Sequence, residues 1–542
     1  MVKPGAAIKV RHALPARTSR QGQDGLPRSA RRQARFAVAA CIASVAVMTV
    51  VAALGPSAAV PSYPSASPWP PWSADADPSP GLVTIALWAA LLLGAAGLIA
   101  GLLAARSGWR PRASRLIAGS FVAVAVLTVT PPLASTDMLD YAIYGRITVL
   151  GASPYQMTPL QLKAAGDPVG AVAPVPWERD PSVYGPLATA TEWAAAELGG
   201  ASAARTLFWL KVWNGLAYLA LVLGLDRLVR SDAELRVRAH LLWSVNPLML
   251  YAGMAGGHID VLSAALGFCA VVAVRPGRGP GSPPRRGMLG GLLAGAAAAV
   301  KAPMLLVAGG LAWLARRSPR VLAATCFGAL AVLLPCYLIA GRAGLVAVWQ
   351  RAAGSPSVYD PPLALSRALR LDLGNGTIDL LAALVAVILA VILLRRMPAG
   401  PTRYPLVGPA LALLLAWVIA TPQQRPWYDM AIFPLLALMP ATRLDWVAVV
   451  RAAAAALAEV PGVTYYPLLV PAWLSDAGKT ISVVVSPVIL IGACIAVIWM
   501  CTTGKWGVDD SHAPGPLVGI TGLTEAAPPA RARKGRPPSV RP

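Results

Sequence analysis

The sequence predicts an all-α integral membrane protein, a polytopic bundle of about twelve to fourteen crossings. Two observations carry this. Hydrophobic residues make up 56% of the 542 residues and charged residues only 13%, against about 25% charged in a soluble protein. Apolar runs such as Phe36 to Ala53, Leu82 to Ala105 and Ile378 to Leu394 also approach or exceed the roughly 20 residues that cross hydrocarbon as a helix. The formal net charge of +23 raises nucleic acid as a partner, but no Lys and Arg cluster is mixed with aromatic residues as in a binding module, so nucleic acid is excluded. The basic residues lie between the apolar runs instead, where they suit anionic membrane lipids.

Residues 1–35 combine Arg, Pro, Gly and Gln with few large apolar side chains and are expected to form a disordered cytoplasmic tail. The membrane domain runs from 36 to 501, and residues 502–542 form a second disordered tail. Basic residues recur in alternate connections: the N-terminal tail, Arg106 to Arg115, Arg275 to Arg286, Arg316 to Arg320 and Arg395 to Arg403. The positive-inside rule makes these cytoplasmic, with both termini. Pro61 to Pro80 and Ser135 to Ala204 are poor in Lys and Arg and face outward. The first is Pro-rich and extended, with tryptophans suited to the interface. All six cysteines fall in or beside apolar runs without metal-ligand spacing and read as core residues.

Spans at about 81–105 and 116–134 lead into the long loop 135–204, the main extracytoplasmic segment, where turn signals at Gly151 to Tyr155, Val175 to Trp177 and Tyr184 to Pro186 predict short interfacial helices. From Arg238 the apolar runs shorten. His240 to Tyr251 and Val261 to Val274 flank a Gly-rich turn carrying His258 and Asp260, and Lys301-Ala302-Pro303 interrupts the stretch from Gly287 to Arg316 as an outward hairpin. Spans follow at about 321–341, 378–394 and 404–420, then TPQQRPWYD and a short return run, and spans near 446–460 and 481–501.

Candidate site residues cluster on the outward side. In a helix after Ser135, Asp137, Asp140, Tyr141 and Tyr144 fall at i, i+3, i+4 and i+7, so two carboxylates and two phenols share one wall. Such a wall can bind sugar hydroxyls, and one carboxylate can take the proton that an attacking hydroxyl loses. Ser135, Thr136 and Asp137 are equally helix-capping residue types, so capping stands beside catalysis as an account of Asp137. Tyr184 lies near Glu178 and Asp180. His258 and Asp260 alone are too few ligands for a metal. Lys301 suits either phosphate binding or snorkelling to the interface. Trp427 and Tyr428 fit an aromatic belt, whereas Arg425, a cation on the outward side next to Asp429, points to a lipid phosphate.

TDMLDYAIYGR followed by GASPY, then VYGP, NPLMLYAGMAGGHID, the Lys301-Ala302-Pro303 turn and RPWYD together resemble the bacterial polyprenyl-phosphate-mannose-dependent α-1,6-mannosyltransferases. These are GT-C integral membrane glycosyltransferases, and the resemblance runs from about Phe36 to Met500. It implies a GT-C-like bundle that moves mannose, with inversion, from a polyprenyl-phosphate-mannose donor to a mannan or lipid-linked glycan acceptor at the outer face of the cytoplasmic membrane. Asp137 maps onto the family's catalytic base, with Asp140 as the alternative. Asp140, Tyr141, Tyr144, Arg146, Tyr155, Tyr184, His258, Asp260, Lys301, Arg425, Tyr428 and Asp429 are then expected to bind substrate. No cofactor is expected, since the sugar arrives on a lipid, and no metal site is legible. Two other functions fit the same composition: a related enzyme glycosylating a carotenoid-type or other lipid, and a flippase for polyprenyl-linked glycans, which ordinarily shows paired halves with matching broken helices.

Overall fold

The computed structural model describes residues 26–274, 283–352, 356–371, 373–398, 400–401, 404–462 and 470–507. Within these the regular structure is helical, as expected. The first three long helices are α1 (Arg28–Ala53), α2 (Pro80–Arg106) and α3 (Ala113–Val129). α1 starts eight residues before the expected span, because Arg, Ala and Gln are good helix formers and extend the helix beyond its apolar part. Most of both expected tails lies outside the described residues. Ser79 caps α2, its hydroxyl accepting from Leu82 N at 3.4 Å, and Pro80 occupies the first helical position. Gly94 and Gly97 of α2 face Ser44 and Ala40 of α1 with no room for a Cβ, so small residues let the two backbones close.

α3 returns to the end of the bundle where α1 stops and α2 starts. There the backbone of the 55–79 connection meets the approach to the long loop, Trp72 N donating to Val129 O at 2.9 Å and Ala134 N to Ala59 O at 2.6 Å. The long loop contains α4 (Asp137–Val149), α5 (Pro186–Gly199), the short helix Pro159–Ala164 and two 3₁₀ turns. They share their own apolar cluster, including Met138, Ile143, Ile147, Leu162 and Ala195.

α6 (Ala203–Val229) crosses the bundle, and α7 (Ala233–Ala239) opens a broken segment. This segment passes through π-helical turns at His240–Ser244 and Leu250–Ala255 before bending by 119° into α8 (Asp260–Ala273). α9 (Pro283–Val300) and α10 (Leu305–Ala315) form the hairpin around Lys301, and α11 (Pro319–Ala352), interrupted at Gly341, packs on α9. Gly287, Gly291 and Gly295, spaced by four, form the α9 face that lies against Val321, Thr325 and Ala329. The rest includes α12 (Pro361–Ala368), α13 (Asn375–Arg396), α14 (Val407–Ala420), α15 (Leu444–Glu459), α16 (Ala472–Thr480) and α17 (Ser486–Thr503), with the short helix Phe433–Leu438 between α14 and α15.

At the end of the bundle away from α4, Arg238 is buried against Asp445 and donates to Met439 O at 2.7 Å and Leu436 O at 3.1 Å, tying the broken segment to the C-terminal half. Removing either partner of such a pair strands a buried charge, at about 3–5 kcal/mol. Among the described residues six helices are long and apolar enough to cross a membrane, or seven with the bent pair. Other runs counted as crossings form shorter helices, among them α3 and α14.

Candidate active site

The N-terminus of α4 is built by its approach. Ser135 Oγ accepts from Asp137 N at 3.1 Å, and Thr136, at the capping position, makes no side-chain cap. Asp137 is thus the first helical residue, and its carboxylate lies 3.4 Å from His258 Nδ1. The helical wall forms as spaced, but it is unequally open. Asp140, Tyr141 and Tyr144 are buried at 5%, 1% and 3% exposure, whereas the Asp137 side chain keeps 19%. Asp137 is therefore the more accessible carboxylate.

His258 is buried and stacks on Trp427, ring centroids 3.6 Å apart at 14°. Trp427 meets Tyr428 edge-on, and the Lys301 ammonium lies 4.3 Å above the Tyr428 ring. Lys301 also donates to Asp260 Oδ1 at 2.6 Å. Arg425 reaches over Trp427, 5.7 Å from the ring, and pairs with Glu459, which also accepts from the Tyr359 hydroxyl at 2.7 Å. Tyr141 sits edge-on to Tyr184, centroids 4.9 Å apart, with the hydroxyls 3.3 Å apart. Burial, then the charges of Tyr184, Asp137 and Asp260, push the Tyr141 phenol well above its ordinary range, so it stays a proton donor. Asp137, Tyr141, Tyr184, His258, Asp260, Lys301, Arg425 and Tyr428 thus belong to one connected cluster drawn from four parts of the chain.

Three other candidates bond within the long loop. Tyr144 donates to Asp180 O at 2.9 Å, Arg146 pairs with Asp167 at 2.9 Å, and the Tyr155 hydroxyl lies 2.9 Å from Thr189 Oγ1; all three brace the long loop. Asp429 is fully buried against Arg451, which donates to Gln424 Oε1 at 2.6 Å and fixes the backbone that carries Trp427 and Tyr428.

Several residues were not legible as part of the site. Lys211 of α6, fully buried, donates to Thr130 O at 2.8 Å and Pro131 O at 3.3 Å, and Asn214 donates to Gly257 O at 2.6 Å. These two side chains hold the approaches to Asp137 and His258. A lysine inside an otherwise apolar span is the signal that marks such a role. Glu459, the acid ending an alanine run, is a similar signal. Among the described residues no three His, Cys, Asp or Glu side chains gather as a metal site requires.

An apolar groove of about 600 Å³ opens beside the cluster, between α10, α11 and α14. Ala302 and Pro303, next to Lys301, line one end, with Leu306, Gly309, Ala329 and Trp417 along it. Trp417 packs on Tyr428, ring centroids 5.0 Å apart. The groove therefore leads to the ring beneath the Lys301 ammonium.

A family model described as alpha-(1->6)-mannopyranosyltransferase, N-terminal domain, matches residues 39–317, just over half of the chain. The match contains Asp137, His258, Asp260 and Lys301 but ends before Arg425. The chain is also similar to alpha-(1->6)-mannopyranosyltransferase B of Corynebacterium glutamicum, 26% identical over 148 residues, which is 27% of this chain and 24% of that protein. The chain thus spans about a quarter of the length of that curated relative. No solved structure matches.

Proposed function

Because the chain belongs to the alpha-(1->6)-mannopyranosyltransferase family, we propose that it moves a mannosyl residue from a polyprenyl-phosphate donor to a hydroxyl of a mannan or lipid-linked glycan. The transfer takes place at the outer face of the cytoplasmic membrane and inverts the anomeric carbon. One observation carries the proposal: the most open carboxylate of the cluster, Asp137, is linked through His258, Trp427 and Tyr428 to Lys301, whose chain neighbours Ala302 and Pro303 line an apolar groove. That pairing suits a lipid whose phosphate bears the sugar.

In the proposed reaction the acceptor oxygen attacks the anomeric carbon while Asp137 takes its proton, and the bond from that carbon to the phosphate oxygen breaks. The electron pair leaves with the polyprenyl phosphate. His258, clamped on Trp427, holds Asp137 in place. Lys301 and Arg425 stabilise the leaving phosphate. Each is paired with a carboxylate in the free protein, Asp260 and Glu459 respectively, so the donor phosphate exchanges for a carboxylate rather than meeting bare charge. The exchange keeps both cations neutralised before substrate arrives, which lowers the cost of holding them near hydrocarbon. Tyr141 and Tyr184 offer hydroxyls to the sugar.

Asp137→Asn tests the assignment. The substitution keeps shape and helix-capping ability, so a merely structural carboxylate survives it, whereas loss of a general base costs about 10²–10⁴ in rate. With polyprenyl-phosphate mannose as donor and equal amounts of folded protein, Asp137→Asn is expected to lose kcat on that scale while Asp140→Asn loses much less. The reverse ranking moves the base to Asp140, and near-normal rates for both variants refute the transferase mechanism.

A further inference from the structure

Asp260 is the first residue of α8, where an acidic side chain commonly serves the free backbone N–H groups of the opening turn. It does not do so here. Oδ1 accepts from the Lys301 ammonium at 2.6 Å, and Oδ2 is buried without a hydrogen-bond partner among the described residues. A buried acceptor left unmet is costly, and neither the helix nor the ion pair accounts for this one.

The carboxylate is held from two sides. Ile259 and Val300, the chain neighbours of Asp260 and Lys301, pack in one apolar cluster with Met138 and Tyr141 of α4. Asp260 and Asp137 both act electrostatically on the Tyr141 phenol. Asp260 therefore bonds the lysine assigned to the donor phosphate and lies within electrostatic reach of the wall that carries the base. In an inverting displacement the base and the leaving phosphate stand on opposite sides of the anomeric carbon. A carboxylate on the lysine's side is misplaced to take the acceptor's proton, but it stands beside the sugar.

A glycosyl phosphate offers few hydrogen-bond donors near its phosphate. Of the two ring atoms that flank the anomeric carbon, the oxygen only accepts, and the carbon on the other side carries the 2-hydroxyl. A carboxylate bonded to the lysine that holds the phosphate meets that hydroxyl before any other. Resting on the transferase function proposed above, with Lys301 at the donor phosphate, we propose that Asp260 determines which sugar is transferred, its carboxylate accepting from the 2-hydroxyl of the donor mannosyl group. Mannose and glucose differ only in configuration at carbon 2, so one acceptor at this place tells them apart. The hydroxyl also replaces the proton donor that Asp260 loses when the phosphate takes Lys301, and the buried charge is not stranded.

The test uses full-length protein in nanodiscs with three donors: farnesyl-phosphate mannose, its 2-deoxy analogue and the glucosyl epimer. The wild type is expected to prefer the mannosyl donor to either analogue by about tenfold to a hundredfold in kcat/KM, the worth of one hydrogen bond to a charged group. Asp260→Asn keeps the shape of the side chain and is expected to lose most of that preference. Comparing the ratio between variant and wild type cancels the intrinsic reactivity of the deoxy donor. A ratio that Asp260→Asn leaves unchanged, with all three donors slowed alike, reduces Asp260 to a support for Lys301 and overturns the proposal while leaving the transferase function standing. Where Asp260→Asn yields no folded protein, Asp260→Glu, which keeps the charge but moves the carboxylate by one methylene, is read by the same ratio. Calorimetric binding of the mannosyl and 2-deoxy donors decides the matter where the wild type transfers no sugar. Tighter binding of the mannosyl donor by about tenfold, lost in the variant, supports the assignment. Equal binding of the two by the wild type overturns it, and binding of neither overturns it together with the transferase function.

Discussion

Asp137 and Asp140 stand one helical turn apart, and the sequence shows that they share a face. It does not show which is open, because burial is set by what packs on the helix from elsewhere, here α5 and the turn at His258. Glu192 of α5 makes the same point more sharply. It is fully buried beside the backbone of Gly145, neither carboxyl oxygen has a hydrogen-bond partner among the described residues, and burial raises its pKa well above the ordinary carboxyl value. Nothing in the local sequence ATATEWAAAELGG sets it apart from a solvated helix acid. Its protonated form dominates in the fold, whereas in the unfolded chain it ionises near pH 4.5. The folded state therefore binds the extra proton, and stability falls as pH rises from that value toward the folded pKa, by up to about 1.4 kcal/mol per pH unit. Glu192→Gln removes this drain. Its thermal midpoint is expected to pull ahead of the wild-type midpoint progressively between pH 5 and pH 8 in detergent, and a constant offset across that range contradicts the burial argument.

Among elements, the long helices were legible because an uninterrupted apolar run has one stable form in hydrocarbon. The broken segment between α7 and α8 was legible only as a turn. Its glycines signalled an interruption, yet the reason for one of them lies elsewhere in the chain: Gly257 has a φ of +72°, and a Cβ there would collide with the thioether of Met138 in the first turn of α4. That contact places His258 against Asp137. Gly257→Ala therefore incurs left-handed strain and overpacking, about 1–3 kcal/mol for the overpacking alone, and pushes apart the two elements that carry the site. The expected result is a folded protein whose kcat falls more than about tenfold, because small misplacements of reacting groups are costly. Gly492→Ala on α17, where a Cβ meets nothing within 4 Å, is the control and is expected to leave kcat unchanged. Equal effects from the two substitutions refute the close-approach account.

For the whole molecule, the sequence count of crossings exceeds the six or seven helices that qualify by length and apolarity among the described residues, because runs of moderate length read alike whether they cross singly, pair across a break or pack as short helices. Orientation rests on a different signal. Arg28, Arg31, Arg32 and Arg35 begin α1, Arg106 ends α2, Arg110, Arg112 and Arg115 lead into α3, and Arg316, Arg317 and Arg320 join α10 to α11. The alternation of helices puts all of these at the end of the bundle away from Asp137. By the positive-inside rule we propose that this end is cytoplasmic and the α4 end extracytoplasmic, the orientation that the proposed lipid-borne donor needs. In a background with the native cysteines replaced by Ala, a cysteine at the exposed position Ala165 of the long loop is expected to react with a membrane-impermeant maleimide in intact cells. A cysteine at the exposed Ser107, between α2 and α3, is expected to react only after lysis. The reverse pattern places Asp137 in the cytoplasm, where the proposed donor and acceptor are not displayed, and removes the extracytoplasmic mechanism along with the orientation.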